Sequence, residues 1–284
     1  MHEFKIGYFN DDLYIILLLN SKCNYKCSYC CTTEIKSHID SLNANKSELS
    51  IKEIDYVLDN LTNNNIRLLI MGGEPTLSKN LNYLLDKAFT KPNIKTIEIL
   101  TNGSIPLTKF NINAKTLIVF TYHPYKNHQR NLIENIKFCI KHNIEYEFNL
   151  MFPQDKHYPN IDRLLKILKI LNVTVIPIYP YIDSKEFEFK QPPYKEEFLR
   201  CFNLDDKWYS LREVYEQHLN KFKGWTCHNT MFIIDMDLNI RQCSGEVLGH
   251  LKGFNFNNYV QKCKLESCVY EGFLRSLKVC HDKN

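Results

Sequence analysis

Residues 13–31 read LYIILLLNSKCNYKCSYCC, an apolar run that breaks into a loop holding Cys23, Cys27, Cys30 and Cys31. Seven consecutive apolar residues, Leu13 to Leu19, have the length and texture of a strand buried on both faces, so the cysteines lie in the loop at its carboxyl end. Four cysteines in nine residues are too many for packing. Cys23, Cys27 and Cys30, spaced CxxxCxxC, can converge on one metal centre, because a short loop folded around the centre delivers all three thiolates. Four thiolates saturate zinc or an iron-sulfur cubane, whereas three leave one iron open to a substrate or cofactor. Cys31 adjoins Cys30, and since adjacent side chains point apart in most conformations it reads as a bystander.

Outward from this stretch, apolar runs recur at regular spacing. Strands are expected near 13–19, 66–71, 94–101, 115–121, 144–151 and 173–179. Helices are expected between them near 50–63, where Ser50 caps with Glu53 three residues on, and near 78–90, 126–142 and 159–171. Six β/α units of this kind predict an α/β fold, a partial (β/α)6 TIM-like barrel whose functional face lies at the carboxyl ends of its strands. The loops at those ends are NSKCNYKCSYC, GGEPT, NGS and YHPY. Residues 183–200, charged and containing Pro192 and Pro193, mark a boundary, followed by a helix at 205–222 and a hairpin at 230–242 with Asp and Asn in its turn. The expected division is a barrel at 1–182, a linker and helix at 183–224, and a small cysteine-rich domain with a β-hairpin at 225–284.

The eleven cysteines are odd in number and no export signal precedes them, which argues for metal or redox chemistry over disulfides. Cys227, Cys243, Cys263, Cys268 and Cys280 form a second group far from the first, and only Cys139 and Cys201, both in apolar surroundings that suggest packing, lie between. Basic and acidic residues nearly balance, 36 against 32, so nucleic acid is not indicated as a partner. No apolar run reaches the ~18–20 residues of a membrane span, and the chain reads as cytoplasmic.

CNYKCSYC, with Tyr29 before its last cysteine, resembles the CxxxCxxC motif of the radical S-adenosylmethionine (radical SAM) superfamily. Gly72, Gly73, Glu74 and Pro75 resemble that family's GGEP element after the second strand, and Thr101, Asn102 and Gly103 another of its segments. The resemblance covers about residues 10–180. It implies that Cys23, Cys27 and Cys30 ligate a 4Fe-4S cluster whose fourth iron chelates S-adenosylmethionine. Gly72 to Glu74 would then offer backbone groups to the methionyl ammonium, with Pro75, Thr101, Asn102 and Asn149 among the cofactor contacts, and Tyr29 near the adenine. Reductive cleavage would yield a 5′-deoxyadenosyl radical that abstracts hydrogen from substrate, with an electron donor such as flavodoxin or ferredoxin.

The late cysteines resemble the SPASM or twitch extension behind many such barrels, and imply a second, auxiliary 4Fe-4S cluster. Its ligands would be Cys227, Cys243, Cys263 and Cys268, although Leu238 and Asn239 stand in the hairpin turn where glycine is usual and four residues separate Cys263 from Cys268. The fifth, Cys280, is either inert or a hydrogen-atom donor; a structural zinc site is the rival reading of the group. His123, in YHP, points either to substrate or to a capping or surface role. Glu145, Glu147 and Asn149 alternate along the fifth strand and share one face, in reach of the barrel cavity or of solvent. An auxiliary cluster favours oxidation, cross-linking or epimerisation of a peptide or protein. A small molecule such as a sugar, nucleoside or cofactor precursor is the alternative substrate, and a first strand that starts by residue 13 leaves no leader-recognition domain ahead of it. The alternative of another class is a zinc-stabilised binding protein without radical chemistry.

Overall fold

The computed structural model describes residues 3–6, 12–27, 30, 46–124, 129–151, 161–178, 223–242, 245–257, 259–264 and 277–281. The expected boundary at 183–200, the helix at 205–222 and Cys201 lie outside the described residues. In chain order the strands and helices are β1 (Glu3–Ile6), β2 (Leu13–Asn20), α1 (Ile51–Asn60), β3 (Ile66–Gly72), α2 (Leu81–Phe89), β4 (Ile94–Thr101), β5 (Thr116–Tyr122), α3 (Gln129–Lys141), β6 (Glu145–Met151), α4 (Ile161–Ile170) and β7 (Val175–Ile178). Then come β8 (Thr226–His228), β9 (Met231–Ile234), β10 (Asn239–Arg241), β11 (Val247–His250), β12 (Val260–Lys262) and β13 (Leu277–His281).

Strands β2 to β7 pair in parallel in sequence order, the open α/β sheet of a partial barrel. Parallel strands need crossover connections, and α1 to α4 supply four of the five, the β4–β5 connection carrying only the 3-10 turn Leu107–Lys109. In β3, Ile66, Leu68 and Ile70 are fully buried, while Arg67, Leu69 and Met71 alternate on the more open face. From the helices, Ile54, Val57, Leu81, Leu84, Leu85, Ile136 and Leu164 complete the core. The Ser50 hydroxyl accepts from the Glu53 amide, and the Glu53 carboxylate reaches back to the Ser50 amide, so α1 begins with the capping box the sequence predicts. Cys139 is fully buried in α3, where burial pushes its thiol up to about 12.

Near the amino ends of β2 and β3, the Tyr14 hydroxyl and Arg67 guanidinium both donate to the buried Glu98 carboxylate at 2.6 Å. The hairpin of β9 and β10 extends this same sheet: β9 runs parallel to β2, with Tyr14 opposite Met231 and Leu17 opposite Ile234. On β9, Phe232 packs edge-on against Phe254, Phe256 and Tyr259. A second, antiparallel sheet in the order β1-β13-β8-β12 joins the two ends of the chain. Among the described residues no helix is long and apolar enough to cross a membrane.

Candidate active site

Three loops leave the carboxyl ends of β2, β3 and β4, and their side chains and backbones are tied to one another. The Gly73 amide donates to the Asn20 carbonyl at 2.9 Å, the Glu74 amide to the Lys22 carbonyl at 2.7 Å, and Asn20 Nδ2 to the Glu74 carbonyl at 3.0 Å. A Cβ at Gly72 would lie 2.2 Å from the Asn20 carbonyl oxygen, and one at Gly73 2.3 Å from that of Lys22. Both glycines are therefore required by the chain's own close approach, with the space beside them taken by the start of the cysteine loop.

Glu74 fastens the third loop. Its carboxylate is buried and accepts from Thr76 (amide and hydroxyl), from the Thr101 hydroxyl at 2.7 Å, and from the Asn102 amide at 2.7 Å. Burial pushes this carboxyl up from its ordinary range, and the donors from Asn102, Thr76 and Thr101 pull against the shift. Pro75 opens the short 3-10 turn Pro75–Leu77 that follows. Asn102 Nδ2 donates to Asn24 Oδ1 at 2.9 Å, and Asn24 Nδ2 to Ser104 Oγ at 2.8 Å, which holds the cysteine loop on the Thr101–Ser104 segment. From beneath, buried Asn135 of α3 bonds the Gly103 and Ile105 carbonyls and the Leu107 amide. Asn20, Asn24 and Ser104 escape the motif reading because CxxxCxxC specifies the cysteines and leaves the intervening residues open.

Of the three early cysteines, Cys23 is exposed while Cys27 and Cys30 are half-buried. Partial burial pushes the Cys23 thiol up, the Tyr25 amide at 3.3 Å from its sulfur acts the other way, and Glu74 and Cys30 add electrostatically to the rise. Cys27 Sγ lies 3.7 Å from His123 Nδ1. Among the described residues no three His, Cys, Asp or Glu side chains are already drawn together as a metal cage. The donor set nonetheless fits an iron-sulfur cluster: three accessible thiols on one anchored loop, one with an amide donor to its sulfur. The surroundings also fit an ammonium-bearing cofactor. Asn20 Oδ1 is a buried acceptor with no donor among the described residues, and the Gly72 and Gly73 carbonyls are not used in the ties above.

His123 and the strand-end residues Thr101 and Asn102 gather here. Asn149 is half-buried and Glu147 exposed on β6, two strands beyond β4 in the sheet. Tyr29 and Cys31 lie outside the described residues, as do Cys243 and Cys268. In the second sheet Cys227 on β8 faces Gln261 and Lys278, β12 leads into half-buried Cys263, and Cys280 stands on β13 opposite Phe4.

A family model described as the radical SAM superfamily matches residues 17–123, from within β2 to the histidine that follows β5. Over that segment the chain is similar to the radical SAM superfamily. A GTP 3′,8-cyclase of Shewanella denitrificans is 34% identical over 91 residues, 32% of this chain and 26% of that protein. The chain thus matches about a quarter of the length of that curated relative. Among solved structures, anSMEcpe with bound AdoMet and Kp18Cys peptide superposes with a TM-score of 0.56 at 18% identity, over 86% of this chain and 78% of that one. Streptococcus suis SuiB bound to precursor peptide SuiA gives 0.54 at 14% identity, over 83% and 60%. At these identities the two structures share a fold with this chain, and their partners are their own.

Proposed function

We propose that this radical SAM protein is an enzyme that cleaves S-adenosylmethionine reductively and abstracts hydrogen from a peptide or protein substrate. One observation carries the reading: the CxxxCxxC loop is locked, through Asn20, Asn24, Glu74 and Asn102, to the GGEP and TNGS loops at the carboxyl ends of one open parallel sheet. Cys23, Cys27 and Cys30 would hold a 4Fe-4S cluster, with S-adenosylmethionine against Gly72, Gly73 and Glu74 and within reach of Tyr29, Thr101, Asn102 and Asn149. Together the two groups supply one-electron cleavage of the sulfonium and hydrogen-atom abstraction, with the electron from a flavodoxin or ferredoxin. The chain's part is to present the thiols on a rigid base, to offer acceptors to the ammonium, and to leave the exposed Glu147 of β6 open to substrate.

The peptide reading draws on the likeness of fold to anSMEcpe and SuiB, both solved with peptides bound. The GTP 3′,8-cyclase match, stronger in identity but over only 91 residues, favours the second reading, a small-molecule substrate. A short precursor-peptide gene beside this one would decide for the first. In both readings residues 1–182 carry the barrel, 183–224 connect, and 225–284 hold an auxiliary 4Fe-4S cluster on Cys227, Cys243, Cys263 and Cys268, with Cys280 as the spare thiol. The experiment is anaerobic reconstitution with iron and sulfide, then dithionite and S-adenosylmethionine. 5′-Deoxyadenosine and methionine are expected from the wild type and neither from the Cys23→Ala/Cys27→Ala/Cys30→Ala variant. A wild type that forms none, or a triple variant that still does, overturns the reading.

A further inference from the structure

His123 follows the last residue of β5, and two contacts of its ring come from the cysteine loop. Nδ1 lies 3.7 Å from Cys27 Sγ, and the Tyr25 ring meets the imidazole edge-on, centroids 5.7 Å apart at 87°. Tyr25 also gives its backbone amide to Cys23 Sγ at 3.3 Å, so one residue of the CxxxC spacer serves two of the three sulfurs, directly and through the histidine. A protonated thiol can either donate to Nδ1 or accept from it. A metal-bound thiolate has no proton to give, which leaves a single arrangement: Nδ1–H donating to sulfur.

We propose that His123 is a positioning residue that donates a hydrogen bond from Nδ1 to the Cys27 thiolate and thereby sets the reduction potential of the cluster that Cys27 helps to hold. The inference rests on the ligand reading of Cys27 made above. Each added electron raises the negative charge on the cluster and its sulfurs, so a donor aimed at one of them stabilises the reduced form more than the oxidised form. The histidine thus makes the first reduction easier. Its ring packs against Tyr25, and it reaches from the end of β5 back to the loop after β2. This role differs from a direct contact with substrate, which the position of a histidine after a barrel strand also suggests.

Two variants separate the hydrogen bond from the packing. His123→Phe keeps an aromatic ring against Tyr25 and removes the donor; His123→Asn returns a side-chain N–H. After anaerobic reconstitution, iron per chain and an EPR-monitored redox titration are measured on all three proteins. His123→Phe is expected to assemble the cluster with a more negative midpoint, its reduced-to-oxidised ratio at fixed potential falling about tenfold, ~59 mV for one electron, and His123→Asn to recover most of that shift. A His123→Phe midpoint equal to wild type, or equal shifts in both variants, overturns the proposal. So does loss of iron from both variants, which would make the histidine a packing residue. A wild type that binds no iron instead refutes the ligand reading itself, and this inference falls with it.

Discussion

A carboxylate cut off from water is costly unless donors surround it, and Glu74 meets that condition with four. Three of them converge on Oε1 and the Asn102 amide alone on Oε2, so Oε1 itself bridges Thr76 of one loop and Thr101 of the next while Oε2 adds a second tie to the latter. Glu74→Gln is expected to lose one backbone bond whichever way the amide turns, since its NH2 then confronts either the Thr76 or the Asn102 N–H. The cost should be about 1–3 kcal/mol. Glu74→Ala, which strands every donor, should cost about 3–5 kcal/mol, and thermal melts of the two variants check the order. Leu238 presents the opposite case, a strained backbone kept for its side chain. It adopts φ 63° in the β9–β10 turn yet is buried in the core. Glycine there relieves ~1–2 kcal/mol of left-handed strain but forfeits a buried leucine worth ~2–5 kcal/mol, so Leu238→Gly should lower stability in urea unfolding, a result opposite to that of most turn-to-glycine changes.

Helices α3 and α4 end alike. The Ile144 amide reaches back to the Cys139 carbonyl and the Val173 amide to that of Leu168, both 2.9 Å, across Asn143 at φ 53° and Asn172 at φ 55°. These are Schellman endings, with a left-handed asparagine followed by an apolar residue just ahead of the next strand. Asn143→Gly is expected to stabilise by a few tenths to about 1 kcal/mol and Asn143→Val to destabilise by ~1–2 kcal/mol, read as opposite shifts in melting temperature. At this scale the sequence is most transparent. Apolar-rich runs mark β2 to β7, continuous in β2 and interrupted by Glu145, Glu147 and Asn149 in β6, and helical periodicity marks α1 to α4, because burial on two faces and on one stripe leave different patterns. What stays hidden is partnership. Nothing in MFII announces that it will run parallel to YIIL more than two hundred positions earlier, nor in EFKI that it will pair with LKVCH, since an apolar pattern records burial and not the identity of the neighbour. The site divides the same way. Its cysteines and GGEP are legible by spacing, whereas the contact between His123 and Cys27, and the filling of the space beside Gly72 and Gly73 by the cysteine loop, depend on strand ends that only the folded sheet brings together.

On the scale of the whole molecule, the early cysteine loop leaves β2 of the nine-stranded sheet, while of the late cysteines Cys227 and the approach to Cys263 lie on β8 and β12 of the four-stranded one. Side chains on separate sheets should behave additively on substitution. If each group holds one 4Fe-4S cluster, the reconstituted protein carries about seven to eight irons per chain. Cys23→Ala/Cys27→Ala/Cys30→Ala should then retain about four, and Cys227→Ser/Cys263→Ser should also retain about four, the two losses summing to the whole. The same measurement tests the zinc alternative, because thiolates suit both metals and only the analysis by element distinguishes them. Under that alternative the wild type holds about four irons and one zinc, the early triple variant loses all its iron while keeping zinc, and the late double variant loses zinc while keeping its iron. Elemental analysis of the three anaerobically purified proteins therefore assigns each metal to a sheet. Iron that disappears from both sites on substitution of either one would instead show that the two sheets assemble their metals as a single cooperative unit.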